Sequence, residues 1–160
     1  MFSQKTSNRI LFALALFFIM GVGALILNEK SELLIVKPSY KDHWSVPGGV
    51  IDENESPRNA CVREVKEEIG LDIENPKFLC VDWTSPMSEK GESLQFIFFG
   101  GILRAKQIKD IKLQAKEIGD YQFLSLEKAL PLLSEKLKRR IPKCLEAMKN
   151  KTALYLENAS

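Results

Sequence analysis

Residues 49–71 read GVIDENESPRNACVREVKEEIGL, and local signals in this stretch specify one helix and the chemistry on its face. Ser56 is a good helix N-cap, and Pro57 is tolerated at the first helical position. Nothing from Arg58 to Ile69 breaks a helix, and Gly70 stands where a left-handed C-terminal cap is wanted. The spacing therefore predicts one short helix over residues 57–69. Glu64, Glu67 and Glu68 fall at i, i+3 and i+4, so three carboxylates share one face. Unpartnered, like charges at this spacing repel by on the order of 0.2–0.5 kcal/mol per pair. A hard divalent cation reverses that sign, because Mg²⁺ takes oxygen ligands and is held by one or two carboxylates plus substrate phosphates. Cys61, Val65 and Ile69 make an apolar stripe on the other face, suited to packing on a sheet.

The loop before this stretch is Trp44-Ser45-Val46-Pro47-Gly48-Gly49. Pro47 stiffens it, and the paired glycines permit a close backbone approach to a ligand.

A bare Glu-x-x-Glu-Glu is usually a solvated helix face. Here it is one part of a longer pattern, G-x5-E-x7-R-E-U-x-E-E-x-G-U, with U an apolar aliphatic residue. Gly49, Glu55, Arg63, Glu64, Val65, Glu67, Glu68, Gly70 and Leu71 fill every fixed position. The pattern is the Nudix box, and the chain resembles Nudix hydrolases over about residues 20–125. That resemblance implies an α/β/α sandwich around a mixed, curved sheet. It also implies hydrolysis of a phosphoanhydride in a nucleoside diphosphate linked to another moiety, with Mg²⁺ or Mn²⁺ as cofactor. Glu64, Glu67 and Glu68 would be the metal ligands and catalytic carboxylates, and the carbonyl at Gly48 would join the metal shell. Arg63 and Glu55 would pair to fix the loop ahead of the helix. A small nucleotide is the implied substrate partner, and a homodimer is compatible with the family. The alternative is a nucleotide-sensing module of the same fold that binds without turnover.

Outside the box the residues say less. Glu117 precedes a short predicted strand. By resemblance it reaches the metal cluster as ligand or base; otherwise it is a surface loop carboxylate. Glu92 is a weaker candidate for the same role. Trp83, Trp44, Tyr40 and Phe98 either stack a base or belong to the core. Trp83 is favoured because Thr84-Ser85-Pro86 follows it. Lys37, Lys41 and Arg104 hold phosphates or are simply solvated. Lys136, Lys138, Arg139, Arg140 and Lys143 read as a solvated helix face. His43 is the only histidine, and no G-x-S-x-G accompanies it, so it reads as a rim residue rather than a triad member.

The chain has 160 residues, enough for one domain that buries about two thirds of its unfolded surface. A net charge of +2 points to no DNA partner. Cys61, Cys80 and Cys144 are widely spaced and odd in number, which predicts neither a disulfide framework nor a zinc site. Residues 10–27 form an unbroken apolar run of 18, the lower limit for a membrane span. The competing reading makes residues 20–27 and 32–36 two strands of a hairpin around Asn28-Glu29-Lys30-Ser31. Only residues 10–19, from Ile10 to Ile19, then remain apolar, too few to cross a bilayer. Cytoplasmic placement is the expectation, with a membrane anchor or contact through Ile10 to Ile19 as the alternative.

Further strands are expected at 78–83, 93–103 and 121–124. Gly100 and Gly101 mark a bulge. Residues 104–116 read as an irregular connection. Two helices are expected at 126–133 and 135–149, the second broken near Pro142. The resulting organisation is an apolar extension over 1–19, a Nudix domain over 20–150 and a tail over 151–160.

Overall fold

A computed structural model describes residues 19–86 and 91–160. Strand β1 (Ile19–Asn28) turns through Glu29 and Lys30 into β2 (Leu33–Pro38). The Asn28 side chain closes that turn, its Oδ1 accepting from the backbone N–H groups of Lys30 at 3.0 Å and Glu32 at 2.9 Å. Next come α1 (Pro57–Ile69), β3 (Lys77–Thr84), β4 (Ser93–Leu103), the short α2 (Ala105–Lys109) and β5 (Ile118–Leu124). A one-turn helix α3 (Leu126–Ala129) leads through a 3-10 turn to α4 (Glu135–Asn150) and β6 (Leu154–Glu157).

The strands form one mixed sheet in the order β5-β2-β1-β4-β3-β6, with β1/β4 and β3/β6 parallel. Alternation along β1 and β2 divides the core between its faces. Val22, Ala24, Ile26, Leu34 and Val36 meet α1, while Leu25, Leu27, Leu33 and Ile35 meet α3 and α4. The result is the expected α/β/α sandwich. Near Gly100 and Gly101 the β1/β4 register shifts, the expected bulge; a Cβ at Gly100 would lie 2.8 Å from Ile26.

The predicted helix forms over the predicted span. Ser56 Oγ accepts from Asn59 N–H, and Gly70 caps the C-terminus at φ 74°. Cys61, Val65 and Ile69 are buried, and Val65 and Ile69 each contribute roughly 1.5–3 kcal/mol relative to exposure.

Below the hairpin, β1 and β2 diverge, and residues 45–51 fill the wedge between them. Ala24 and Val22 donate to the carbonyls of Pro47 and Gly49, each at 2.8 Å, while Ser45 exchanges two backbone hydrogen bonds with Val36. The Pro-Gly-Gly loop thus behaves as an extra strand at the edge of β1, which fixes it firmly beside α1.

Four differences from the sequence-based expectation have physical reasons. Residues 151–160 are not a tail: β6 pairs with β3 along Cys80 to Trp83, and Leu156 is buried. Its partner lies some seventy residues earlier, so no local pattern announces it. Pro142 does not break α4, because Leu137, Ile141, Cys144 and Ala147 hold the helix to the sheet on both sides of it. Arg140 is not solvated. It is 4% exposed and bonds the fully buried Asp82 through Nε at 2.8 Å and through Nη2, while Asp82 Oδ1 accepts from Ala159 N–H at 2.9 Å. Residues 104–116 include the short helix α2, opened by Gln107 Oε1 accepting from Arg104 N–H at 3.0 Å.

The apolar run resolves in part. Ile19 to Leu27 lies in β1, and residues 10–18 fall outside the described residues. No helix among the described residues is long and apolar enough to cross a membrane.

Candidate active site

The box helix presents its carboxylates around one guanidinium. Arg63 Nε and Nη2 grip the two oxygens of Glu55 at 3.0 and 2.9 Å. Its Nη1 reaches Glu64 Oε1 at 2.8 Å and Glu67 Oε2 at 3.0 Å, and its Nη2 also donates to the carbonyl of Val50 at 3.0 Å. This planar fork holds helix and loop together in a way a lysine would not reproduce. The carboxylates raise the Arg63 pKa, Glu55 first, and Arg63 holds Glu55 below the usual carboxylate range. Glu64 and Glu67 thus already converge on a single cationic group.

Glu68 behaves differently. It is 5% exposed, and its Oε2 accepts from Gly48 N–H at 2.9 Å. Burial pushes its carboxyl up to about 7, and the charges of Glu64 and Glu117 act in the same direction. Glu64 is also raised, by burial first, against the opposing pull of Arg63. Tyr40 is raised by partial burial and then by the charges of Glu68, Glu117 and Glu64, although most of its ring is exposed. Glu117 therefore faces the same carboxylates from the loop before β5. That loop is tied down by Ser39, which donates from its backbone N–H to Glu117 O and from Oγ to Lys116 O, each at 2.8 Å.

The glycines beside this cluster are there for space. A Cβ on Gly49 would stand 2.5–2.7 Å from the Glu64 carboxylate. A Cβ on Gly48, at φ 149°, would stand 2.1 Å from the carbonyl oxygen of Val22.

The donor set is all oxygen, which suits Mg²⁺ or Mn²⁺. Among the described residues no three acidic, histidine or cysteine side chains are drawn together as a ready-made cage. Arg63 supplies the positive charge between Glu64 and Glu67, and Glu68 lies to the side against Gly48. The residues fit a cation that keeps several waters and completes its shell with phosphate oxygens.

Gly48 and Gly49 also border a groove of about 330 Å³ on the α4 side of the sheet. Tyr40, Lys41 and His43 line it from the loop after β2, Ser93, Gln95 and Ile97 from β4, Thr84 from β3, and Ser134, Lys136 and Leu137 from the start of α4. Its floor is Gly21 and Gly23 of β1. Their missing side chains make room, since a Cβ at Gly23 would lie 2.9 Å from Ile97.

Of the residues proposed from sequence to bind substrate, Lys41 and Tyr40 line this groove and five others do not. Trp44 packs against the α4-side core, and its backbone N–H donates to Leu132 O. Trp83 is half-buried on β3, one residue out of phase with Asp82 and Thr84, so it faces away from α4. Lys37 Nζ is spent on the carbonyls of Lys41 and Asp42, and Arg104 starts α2. Phe98 belongs to the α1-side core, and Glu92 is exposed ahead of β4. The sequence reading missed Thr84, Gln95, Ser134 and Lys136. The one available signal was Gly21-x-Gly23 in an otherwise apolar strand, which vacates two positions on one face.

The sequence model of the NUDIX domain matches residues 18–146. The chain belongs to the Nudix family. The RNA pyrophosphohydrolase of Campylobacter jejuni (strain 81-176) is 32% identical over 130 residues, covering 71% of this chain and 81% of that one. The m7GpppN-mRNA hydrolase of Saccharomyces cerevisiae is 48% identical over 52 residues, 32% of this chain and 5% of that protein. Among solved structures, the MutT protein from Methanosarcina mazei Go1 matches with a TM-score of 0.67 at 27% identity, covering 84% of this chain and 95% of that one.

Proposed function

We propose that this chain hydrolyses a phosphoanhydride in a nucleoside diphosphate linked to another moiety, using Mg²⁺ or Mn²⁺. Glu64, Glu67, Glu68 and the carbonyl of Gly48 are the groups that would hold the metal. The observation that carries the reading is Glu68, a carboxylate buried beside Glu64 and Glu117 with its pKa pushed up to about 7. Such a group gains most from a cation, and its neighbours are the other proposed ligands. When bound, the metal neutralises charge on the phosphate oxygens and makes water more acidic.

The remaining roles fall to the chain itself. Arg63 fixes the Glu64 and Glu67 side chains and clamps the loop through Glu55 and Val50. Gly48 N–H orients Glu68. A glutamate, from the box or Glu117, orients the attacking water and takes its proton. Lys41, in the groove wall, lowers the Glu68 pKa through its positive charge and is placed to meet substrate phosphates.

The test is turnover of a panel: nucleoside triphosphates, nucleotide sugars, dinucleoside polyphosphates, 5′-triphosphorylated RNA and capped RNA. The RNAs are included because the C. jejuni and yeast relatives carry RNA-hydrolase names. Cleavage of one class that needs metal and falls about 10²–10³-fold in Glu67→Gln, with the melting temperature kept, supports the proposal. Nucleotide binding with no turnover would overturn it in favour of a sensor.

A further inference from the structure

Two of the three cysteines meet in the core. Cys80 Sγ of β3 lies 3.3 Å from Cys144 Sγ of α4, and both residues are fully buried free thiols. Leu79, Ile97, Ile141 and Leu156 belong to the same apolar cluster. In such surroundings a lone thiol packs as a small, inert hydrophobe. Cys61 is that case. It sits in the α1-side core at 1% exposure, and burial pushes its thiol up to about 12.

The pair differs from Cys61 in chemistry as well as in geometry. The hydrogen bond from Cys144 holds the Cys80 thiol below its usual range against burial, and the Arg140 charge acts the same way. Cys144 is raised by that bond first and by burial next. One sulfur is thus drawn toward the thiolate, the form that reacts, with a second sulfur in contact with it.

Access lies along the C-terminal edge. A cleft of about 290 Å³ between α4 and β6 is walled by Lys143, Ala147 and Leu154, among others. A second, of about 450 Å³, is walled by Leu79 and Phe99 of the sheet and by Ala147 and Met148 of α4. Lys143 precedes Cys144, Leu79 precedes Cys80, and Leu154 is the β6 partner of Cys80. Strand β6 has four residues and forms one edge of the sheet. Short elements at a chain end open at lower free energy than central ones, and opening here exposes the sulfurs to a small oxidant.

We propose that Cys80 and Cys144 form a reversible disulfide, with a peroxide as oxidant, and that this bond is a latch fastening α4 and the C-terminal strand to β3. The Cys80 thiolate attacks one oxygen of hydrogen peroxide, giving a sulfenic acid, and the other oxygen leaves as water with the proton of that thiol. The Cys144 sulfur gives up its proton, attacks the sulfenic sulfur and expels the remaining oxygen as water. Two thiols lose two electrons and two protons, and one peroxide becomes two waters. The bond closes the chain between residues 80 and 144 and so restricts the unfolded state. Cys144 lies one turn past Arg140 on the helix whose first turn walls the groove, so the latch also stiffens that wall.

The experiment is treatment of the full chain with hydrogen peroxide in native buffer, followed by intact mass, a non-reducing peptide map and thermal unfolding. The expected product has lost two hydrogens, links the Cys80 and Cys144 peptides, and keeps Cys61 as a thiol. Its melting temperature should exceed that of the reduced chain by roughly 4–16 °C. Amide hydrogen exchange in β6 and the second half of α4 should slow on oxidation, and dithiothreitol should restore mass, melting temperature and exchange. Cys61→Ala should show the same shift relative to its own reduced form. Cys80→Ala and Cys144→Ala should show neither the internal link nor the shift. Thiols that stay reduced, a link to Cys61, oxygen addition in place of hydrogen loss, a link that forms only in denaturant, or a linked form no more stable than the reduced one overturns the latch.

Discussion

Gly48 N–H donates to Glu68 Oε2 at 2.9 Å, so the loop that edges β1 and the helix that carries the box meet at one buried carboxylate. The bond favours the charged form, yet desolvation outweighs it and the carboxyl is pushed up from 4.5 to about 7. Between those values the folded chain binds more protons than the unfolded chain. Metal-free stability therefore falls as pH rises from about 4.5 to about 7, by up to roughly 3 kcal/mol, and is level above that range. Glu64 is shifted the same way, so Glu68→Gln should keep a shallower slope rather than none. Thermal unfolding of wild type and Glu68→Gln at pH 5 and 7.5, in chelator, measures the difference. Parallel pH dependences in the two proteins would sink the assignment. Added Mg²⁺ at pH 7.5 should raise the wild-type melting temperature more than that of the variant.

The two loop glycines should fail in different ways. At Gly49 an added Cβ meets only the carboxylate end of Glu64, which can swing aside. Gly49→Ala should cost about 1 kcal/mol or less of stability, yet lower kcat at least tenfold by displacing a proposed ligand. At Gly48 the Cβ would meet the backbone carbonyl of Val22 at 2.1 Å, and φ is 149°. β1 is central and cannot retreat, so Gly48→Ala should lose about 3 kcal/mol or more. Melting temperature and kcat measured on both variants separate the two effects. Equal loss of stability in the pair would contradict this account of the loop.

How much the sequence reveals depends on the range of the forces involved. The box helix was legible to the residue because Ser56, Pro57 and Gly70 act within one turn. The hairpin at Asn28 and the bulge at Gly100 and Gly101 are equally local. The Arg63–Glu55 clamp came with the box pattern. The wedge formed by residues 45–51, strand β6 and the groove were not legible, since each depends on partners far along the chain. Arg140 is the clearest case. Four cationic neighbours made it look solvated, and only Asp82, 58 residues earlier, accounts for its burial. Trp83 was assigned to the substrate because Thr84-Ser85-Pro86 follows it, whereas strand phase turns Thr84, the next residue, into the groove.

The Asp82–Arg140 pair also predicts how the C-terminus contributes to stability. Asp82 is fully buried. One oxygen takes Arg140, and the other takes the N–H of Ala159, so β3, α4 and the segment after β6 share one carboxylate. Removing one partner of a buried pair strands the other charge and costs about 3–5 kcal/mol. At about 2–4 °C per kcal/mol for a chain of this size, Asp82→Ala should lower the melting temperature by roughly 6–20 °C. Arg140→Met should be comparably harmful, because it leaves the Asp82 carboxylate buried without its cation. The double variant has no stranded charge, and replacing a buried pair by apolar groups is often close to neutral. It should therefore be no less stable than either single variant, a strongly non-additive cycle. Thermal unfolding of the three variants decides the matter. Additive losses would mean that the two side chains act separately, and that β6 is held by its ladder with β3 alone.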